Sequence, residues 1–257
     1  MAYSMRLIKK FKKEYDESVV QALISKKSRF PGYEKLISKW DRLQVQEKSL
    51  TQDLRIMLEI ANHISVANVL LDESRAYCEL LEYEVPLADG TKAIDFLAHY
   101  DKMQTYCDVR TIQPEPINNW EAYKAFMQKE YLPEKVEAVS EEEMQLIKYR
   151  PRALMVEYAA EYENKIALLG KPQATIFVLT FCGDGYDWDS RLLADFADFY
   201  LTGRHNPDDP FAKTGDEYLQ KNKIIFNKTI NYFGYHERQK NNIDYKLFNP
   251  NIRRKSK

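Results

Sequence analysis

The sequence predicts a mixed α/β fold, an α+β sheet of antiparallel and parallel strands with helices packed on both faces. Three observations predict it. Between residues 78 and 112, three short extended runs follow one another through tight turns, the pattern of an antiparallel meander. A helical segment opens at Pro151 and closes at Gly170, with proline at the first turn and glycine just past the end. Residues 174–181 (ATIFVLTF) then form a nearly continuous apolar strand, which suits a sheet interior covered on both sides. A strand reached from its predecessor through a helix must pair with it in parallel, by a crossover.

Composition supports a single large domain, or a core with an appended helical subdomain. Hydrophobic residues make up 44% of the 257 residues and charged residues 30%, while 8 Gly and 10 Pro exclude a disordered or collagen-like chain. The 18 tyrosines are spread along the chain and read as packing groups. A net charge of -1 removes any global electrostatic case for nucleic acid. The ends differ from that average: Arg6, Lys9, Lys10, Lys12 and Lys13 lie in a stretch without acids, and Arg253, Arg254, Lys255 and Lys257 form a basic tail. Such ends can touch phosphate or act as solubilising tails. Cys78, Cys107 and Cys182 are odd in number and lack CxxC spacing, so reduced, buried thiols in a cytoplasmic protein are expected. Neither a signal-peptide stretch nor a membrane span is evident.

In chain order, residues 1–47 read as an N-terminal helical arm, with a helix over Tyr33 to Gln46. Leu50 to Leu71 is apolar on most of a helix circumference. Its exceptions Glu59, Asn62 and His63 are spaced i, i+3, i+4 and share one face. Cys78 to Leu87 is the first strand, closed by Ala88-Asp89-Gly90-Thr91, and Asp-Gly is a strong hairpin signal. Ala93 to Tyr100 is the second strand and Thr105 to Ile112 the third, ended by Pro114 and Pro116. Residues 115–150 read as an insertion with a helix over Asn119 to Tyr131 and an acidic stretch, Glu134 to Glu143. A helix from Arg152 to Leu169 and the apolar strand complete a core over residues 48–185. Residues 186–257 are then a C-terminal helical extension and basic tail. Its helices cover Ser190 to Leu201 and Asp216 to Tyr232, the second with Thr214 and Glu217 spaced as a capping box.

Hairpin register turns this layout into a candidate site. A turn centred between Asp101 and Lys102 sets residue 100 against 103 and Asp95 against Asp108, with facing Cα atoms about 4.5 to 5.5 Å apart. The first hairpin sets Glu84 against Asp95 in the same way. Three acids would cross the sheet in one row, although like charges directly opposite destabilise a sheet. A hard cation bound by oxygen ligands removes that repulsion, and Mg²⁺ typically takes one or two carboxylates with substrate phosphate completing the shell. Arg110 lies two residues after Asp108, on the same sheet face, where a cation suits a phosphodiester transition state.

Ile94-Asp95-Phe96-Leu97, followed after a hairpin by Cys107-Asp108-Val109-Arg110-Thr111-Ile112, resembles the signature of the PD-(D/E)XK nuclease superfamily. There an acid on one strand is followed on the next by (D/E)-X-K. The order helix-strand-strand-strand-helix-strand over about residues 48–182 is similar to that restriction-endonuclease-like core. The resemblance implies Mg²⁺- or Mn²⁺-dependent hydrolysis of nucleic acid, with DNA the substrate of most relatives. It makes Asp95 and Asp108 metal ligands and puts Arg110 in the position of the family's lysine. Glu59 best matches the acid that relatives often carry on the first helix, and Glu84 competes as the third carboxylate. Lys165 or Glu161 would supply an auxiliary group from the crossover helix. The chain departs from the pattern twice: Ile94 stands where proline often precedes the first acid, and Arg110 replaces lysine. An arginine clamps phosphate but cannot act as a general base.

Three functions follow as expectations: a metal-dependent nuclease; an inactive module of that fold that binds nucleic acid or a protein partner; and an interaction protein using residues 115–150 and the C-terminal helices. A homodimer is compatible with each, and no membrane partner is expected. The remaining features read structurally. His63 suits a satisfied helix histidine, His99 shares the strand face of Asp95 and reads as lining the cleft, and Asp184, Asp187 and Asp189 suit turns and caps. No zinc spacing, nucleotide fingerprint or nucleophile motif is found.

Overall fold

The computed structural model describes Lys9, Lys12, Lys13 and residues 15–43, 50–90, 93–112, 141–169, 175–183, 190–203, 224–239 and 242–250. The expected helix over Asn119 to Tyr131, most of the acidic stretch, the Thr214–Glu217 box, Asp184, Asp187, Asp189 and the basic C-terminal tail lie outside these residues.

The chain is mixed α/β, a mixed sheet of six strands flanked by helices. A π-helical turn (Asp16–Val20) runs into α1 (Gln21–Ile24), followed by a 3-10 turn (Lys27–Arg29), α2 (Tyr33–Asp41) and α3 (Leu50–Leu70). Then come β1 (Leu80–Pro86), β2 (Ala93–Tyr100), β3 (Met103–Thr111), α4 (Glu141–Leu168), β4 (Thr175–Cys182), α5 (Ser190–Thr202), β5 (Tyr232–Gln239) and β6 (Asn242–Phe248). The strands lie side by side in chain order. β1–β2, β2–β3 and β5–β6 are antiparallel, whereas β3–β4 and β4–β5 are parallel. The helix-strand-strand-strand-helix-strand order and the parallel crossover are as the sequence implies.

Strand alternation divides the core. Phe96, Ala98, Cys107, Val109 and Val178 join the N-terminal helices and α3 in one cluster. Leu97, Tyr106, Leu179, Phe181 and Phe233 join α4 and α5 in the other. At the first hairpin Gly90 takes φ +66 and donates its N–H to the Leu87 carbonyl at 2.9 Å, which fits the Asp-Gly turn. All three cysteines are buried and not joined in disulfides. No helix among the described residues is long and apolar enough to cross a membrane.

Three expectations need correction. The described part of the N-terminal arm is packed into the fold: Leu23, Leu36 and Trp40 are fully buried in the same core as α3. The reason lies in α2, where Tyr33, Leu36, Ile37 and Trp40 recur at helical spacing and bury one stripe. The crossover helix begins ten residues before Pro151 and runs through it, although proline has no backbone N–H to give. The predicted helix Asp216 to Tyr232 is absent where it can be seen: residues 224–231 have no regular structure and β5 starts at Tyr232. The stretch 232–248 is a hairpin added to the sheet beside β4, so the C-terminal extension is not wholly helical. Gly234 permits that addition, because a Cβ there would stand 2.6 Å from Thr180 Oγ1 and 2.7 Å from the Tyr245 hydroxyl.

Candidate active site

The β2–β3 ladder runs from Tyr100↔Met103 to Phe96↔Cys107, so one further step sets Asp95 against Asp108. The two carboxylates act on each other, and the charge of Asp95 disfavours ionisation of Asp108. Asp95 Oδ2 also accepts the backbone N–H of Val109 at 2.7 Å. Asp108 is fully buried, and both its oxygens are held by cations. Lys165 Nζ donates to Oδ1 at 2.7 Å and Arg110 Nε to Oδ2 at 3.0 Å. The Arg110 guanidinium reaches on to Glu161 Oε2 at 3.1 Å and lies 5.0 Å over the Tyr158 ring.

The crossover helix makes this possible. Tyr158, Glu161 and Lys165 are spaced i, i+3, i+7 and form one stripe along α4. Tyr162 docks the same helix on β3 through a hydrogen bond from its hydroxyl to the Tyr106 carbonyl at 2.8 Å. Parallel pairing of β3 with β4, reached through α4, carries the stripe back over Asp108.

The electrostatics follow from burial. Loss of water pushes Asp108 up to about 6, and repulsion from Asp95 adds to the rise, while Arg110 and Lys165 oppose it. Burial also raises Asp95, against the Val109 N–H and the two cations. Asp95, Asp108 and Glu161 bring three negative charges against the two positive charges of Arg110 and Lys165.

From the other side, α3 presents Asn62 and His63. Asn62 Nδ2 donates to Thr111 Oγ1 at 2.8 Å, fastening α3 to the end of β3. His63 Nε2 stands 3.8 Å from Asp95 Oδ2 and its Nδ1 lies 3.1 Å from the Tyr83 hydroxyl. Glu59 is half-buried one turn earlier and acts on His63 through its charge.

Glu84 departs from the row. The pairs Tyr83↔Phe96 and Val85↔Ile94 do bracket it opposite Asp95. Its φ is +52, however, a left-handed conformation that breaks the alternation of the strand. Its carboxylate pairs instead with Lys39 and, at 2.5 Å, with Lys35, from α2. Two lysines therefore already balance its charge, and the third-ligand role expected for Glu84 is not favoured. His99, also on β2, is engaged by Glu82 Oε1 at 2.6 Å.

The structure brings Asp95, Asp108 and Arg110 together and adds Lys165, with Glu161 beside Arg110. His63, Tyr83 and Tyr158 were not singled out as site residues from the sequence. The i, i+3, i+7 stripe on α4 was a readable signal for Tyr158. Contacts from α2 and β1 to the site had no short-range signal.

Two adjoining carboxylates that repel each other are the donor chemistry a hard divalent cation takes, and Mg²⁺ needs only one or two of them from protein. Among the described residues, no group of three or more His, Cys, Asp or Glu is gathered as a ready cage. Asp95 and Asp108 are thus the residues that fit a metal, and Asp108 must give up one of its cation partners to take it. Comparison with family models, with curated proteins and with solved structures finds no match.

Proposed function

We propose that the chain is a metal-dependent nuclease that hydrolyses phosphodiester bonds, with DNA the first substrate to test, on a restriction-endonuclease-like core. One observation carries the reading: Asp95 and Asp108 lie on the paired strands β2 and β3, Asp95 bonded to the N–H of Val109 next to Asp108, while Arg110 and Lys165 converge on Asp108. Two acids with two cations, drawn from β2, β3 and the crossover helix, suit charge development at a phosphoryl group better than they suit structure alone. The element order and the matching strand register support the same reading.

Asp95 and Asp108 would hold Mg²⁺ or Mn²⁺, which supplies acidification of a water and countercharge for phosphoryl oxygens when bound. Arg110 is a fixed charge with a planar fork of donors and cannot take the proton of the attacking water. Glu161 and Tyr158 aim that fork. Lys165 adds three rotatable donors from α4, as the auxiliary group the resemblance implies on the crossover helix.

A second reading is a non-catalytic module of the same fold that binds nucleic acid or a protein partner. It is favoured by the two cations that already neutralise Asp108, and by the replacement of lysine with Arg110. Incubation of the protein with supercoiled plasmid, single-stranded DNA and single-stranded RNA, each with Mg²⁺ or Mn²⁺, separates the readings. Metal-dependent cleavage lost in Asp108→Asn supports the nuclease. Retarded migration without cleavage, equal in wild type and variant, supports the module and overturns catalysis.

A further inference from the structure

We infer that β6 is a self-pairing edge: two copies of the chain join β6 to β6, antiparallel about a twofold axis through Tyr245, and so form one continuous sheet.

The two edges of the sheet differ. β1 is covered by the start of α2, where a Cβ at Gly32 would collide with Tyr83 Cβ. Arg29 Nη1 takes the Cys78 carbonyl at 2.9 Å, and Glu84 kinks the strand at φ +52 beside Lys35 and Lys39. Kinks and charges of that kind keep an edge from pairing with another chain. β6 has no such kink. Its pairing with β5 runs without a break from Phe233↔Phe248 to Gln239↔Asn242, and among the described residues no strand lies beyond it. Lys246 and Leu247 are exposed, Leu247 by 52%.

The ladder shows which backbone groups are open. His236 O accepts the Gly183 N–H at 3.3 Å, so the backbone groups of His236 face β4. Alternate residues of a strand bond the same neighbour, and His236↔Tyr245 is therefore a non-hydrogen-bonded pair. On β6, Asn242, Asp244, Lys246 and Phe248 bond β5, while Ile243, Tyr245 and Leu247 turn their N–H and C=O groups outward. The contact from Arg75 Nη1 to Tyr245 O, at 3.4 Å, reaches that outer side. It is long, and a carbonyl has a second lone pair for an incoming N–H.

The strand is complementary to its own reverse. Antiparallel pairing about Tyr245 sets Ile243 against Leu247 of the partner subunit and Asp244 against Lys246 of the partner subunit. The outward-facing residues then meet as hydrogen-bonded pairs. The opposite charges meet at the closer, non-hydrogen-bonded positions, once on each side of the axis, where they stabilise a sheet. Within one chain Asp244 stands in register with Glu237, a like-charged pair. A second copy supplies the missing lysine and gives the exposed Leu247 an apolar neighbour.

The test is sedimentation of the full chain over a concentration series reaching about 100 µM, which resolves micromolar association. Wild type should pass from monomer to dimer. Asp108→Asn should do the same, because this edge is independent of the proposed chemistry. Leu247→Pro removes an outward N–H and leaves the β5 ladder whole, so it should be monomeric with an unchanged circular dichroism spectrum. Asp244→Lys and Lys246→Asp should each weaken the dimer about tenfold, since the axis counts each change twice. Combined, they should restore wild-type association to within about threefold. Amide exchange at Tyr245 and Leu247 should slow as concentration rises. A wild type that stays monomeric throughout overturns the inference. So does a folded Leu247→Pro that still dimerises, a dimer whose edge amides exchange at the monomer's rate, or a pair of charge variants that combination does not rescue.

Discussion

Lys165 Nζ donates to Asp108 Oδ1 at 2.7 Å across 57 residues of sequence. The contact ties the crossover helix to the strand that carries the DVR segment. Asp108 is fully buried and the Lys165 side chain is only 13% exposed, so neither charge can turn to water without local opening. Buried charges held in this way cost desolvation and are costly to leave unpaired.

Lys165→Met therefore leaves Asp108 with Arg110 as its one cation contact. Stability should fall by about 2 to 4 kcal/mol, read as a lower urea midpoint at unchanged slope. If Lys165 also serves the phosphoryl group, cleavage should fall about 100-fold or more at unchanged DNA affinity. A fully stable variant would contradict the buried pair, and a stable, active one would also remove Lys165 from the site.

The acid dependence of stability separates Asp108 from His63. Asp108 is raised to about 6, so between its ordinary value and 6 the folded state holds more protons than the unfolded. That group adds stability as pH falls through this window, to about 3 kcal/mol at most. His63 is lowered to about 4, so the unfolded state takes the proton first and stability falls over nearly the same range. In metal-free buffer the two oppose each other. Urea titrations between about pH 4 and 7 should show Asp108→Asn losing more stability on acidification than wild type. His63→Gln should lose less.

Glu84→Gln removes the negative charge from the pairs with Lys35 and Lys39 without touching the Asp95–Asp108 contact. Calorimetry should find its Mn²⁺ affinity within about twofold of wild type, since Lys35 and Lys39 already balance this half-buried charge. A tenfold loss would return Glu84 to the metal centre. Glu84→Gly relieves the left-handed backbone and is the companion variant for stability.

Glu163 holds a different part of the fold. It is buried on α4 and accepts the Tyr200 hydroxyl together with the backbone N–H groups of Asn227 and Thr229, at 2.6 and 3.1 Å for the latter two. Lys228, between them, has φ +59. Glu163→Gln turns an acceptor into a partial donor facing two amides. It should cost about 2 to 3 kcal/mol and speed hydrogen exchange at Asn227 and Thr229. Exchange unchanged at those amides would show that the segment is held by other contacts.

The strand order, the hairpin registers and the crossover were legible because they rest on short-range rules: a two-residue turn, alternation, and the length of a helical connection. Asp95, Asp108 and Arg110 came out of the same rules, as one turn fixes the pairing of β2 with β3. What escaped depends on tertiary contact. Glu84 keeps its place in the register but leaves its face because a positive φ, stabilised by lysines of α2, cannot be read from a non-glycine residue. β5 and β6 were hidden because Tyr232 to Gln239 gains its partner, β4, only after the second crossover. His63 looked like a packing residue, and it does pack; its distance from Asp95 comes from how α3 docks on the sheet.

The proposed hydrolysis depends on a metal centre at Asp95 and Asp108. It is checked by calorimetric titration of Mn²⁺ into wild type and Asp108→Asn, each with and without a short phosphorothioate oligodeoxynucleotide. One binding event is expected in wild type and none in a folded Asp108→Asn. Equal binding in both, or none in either, would contradict it.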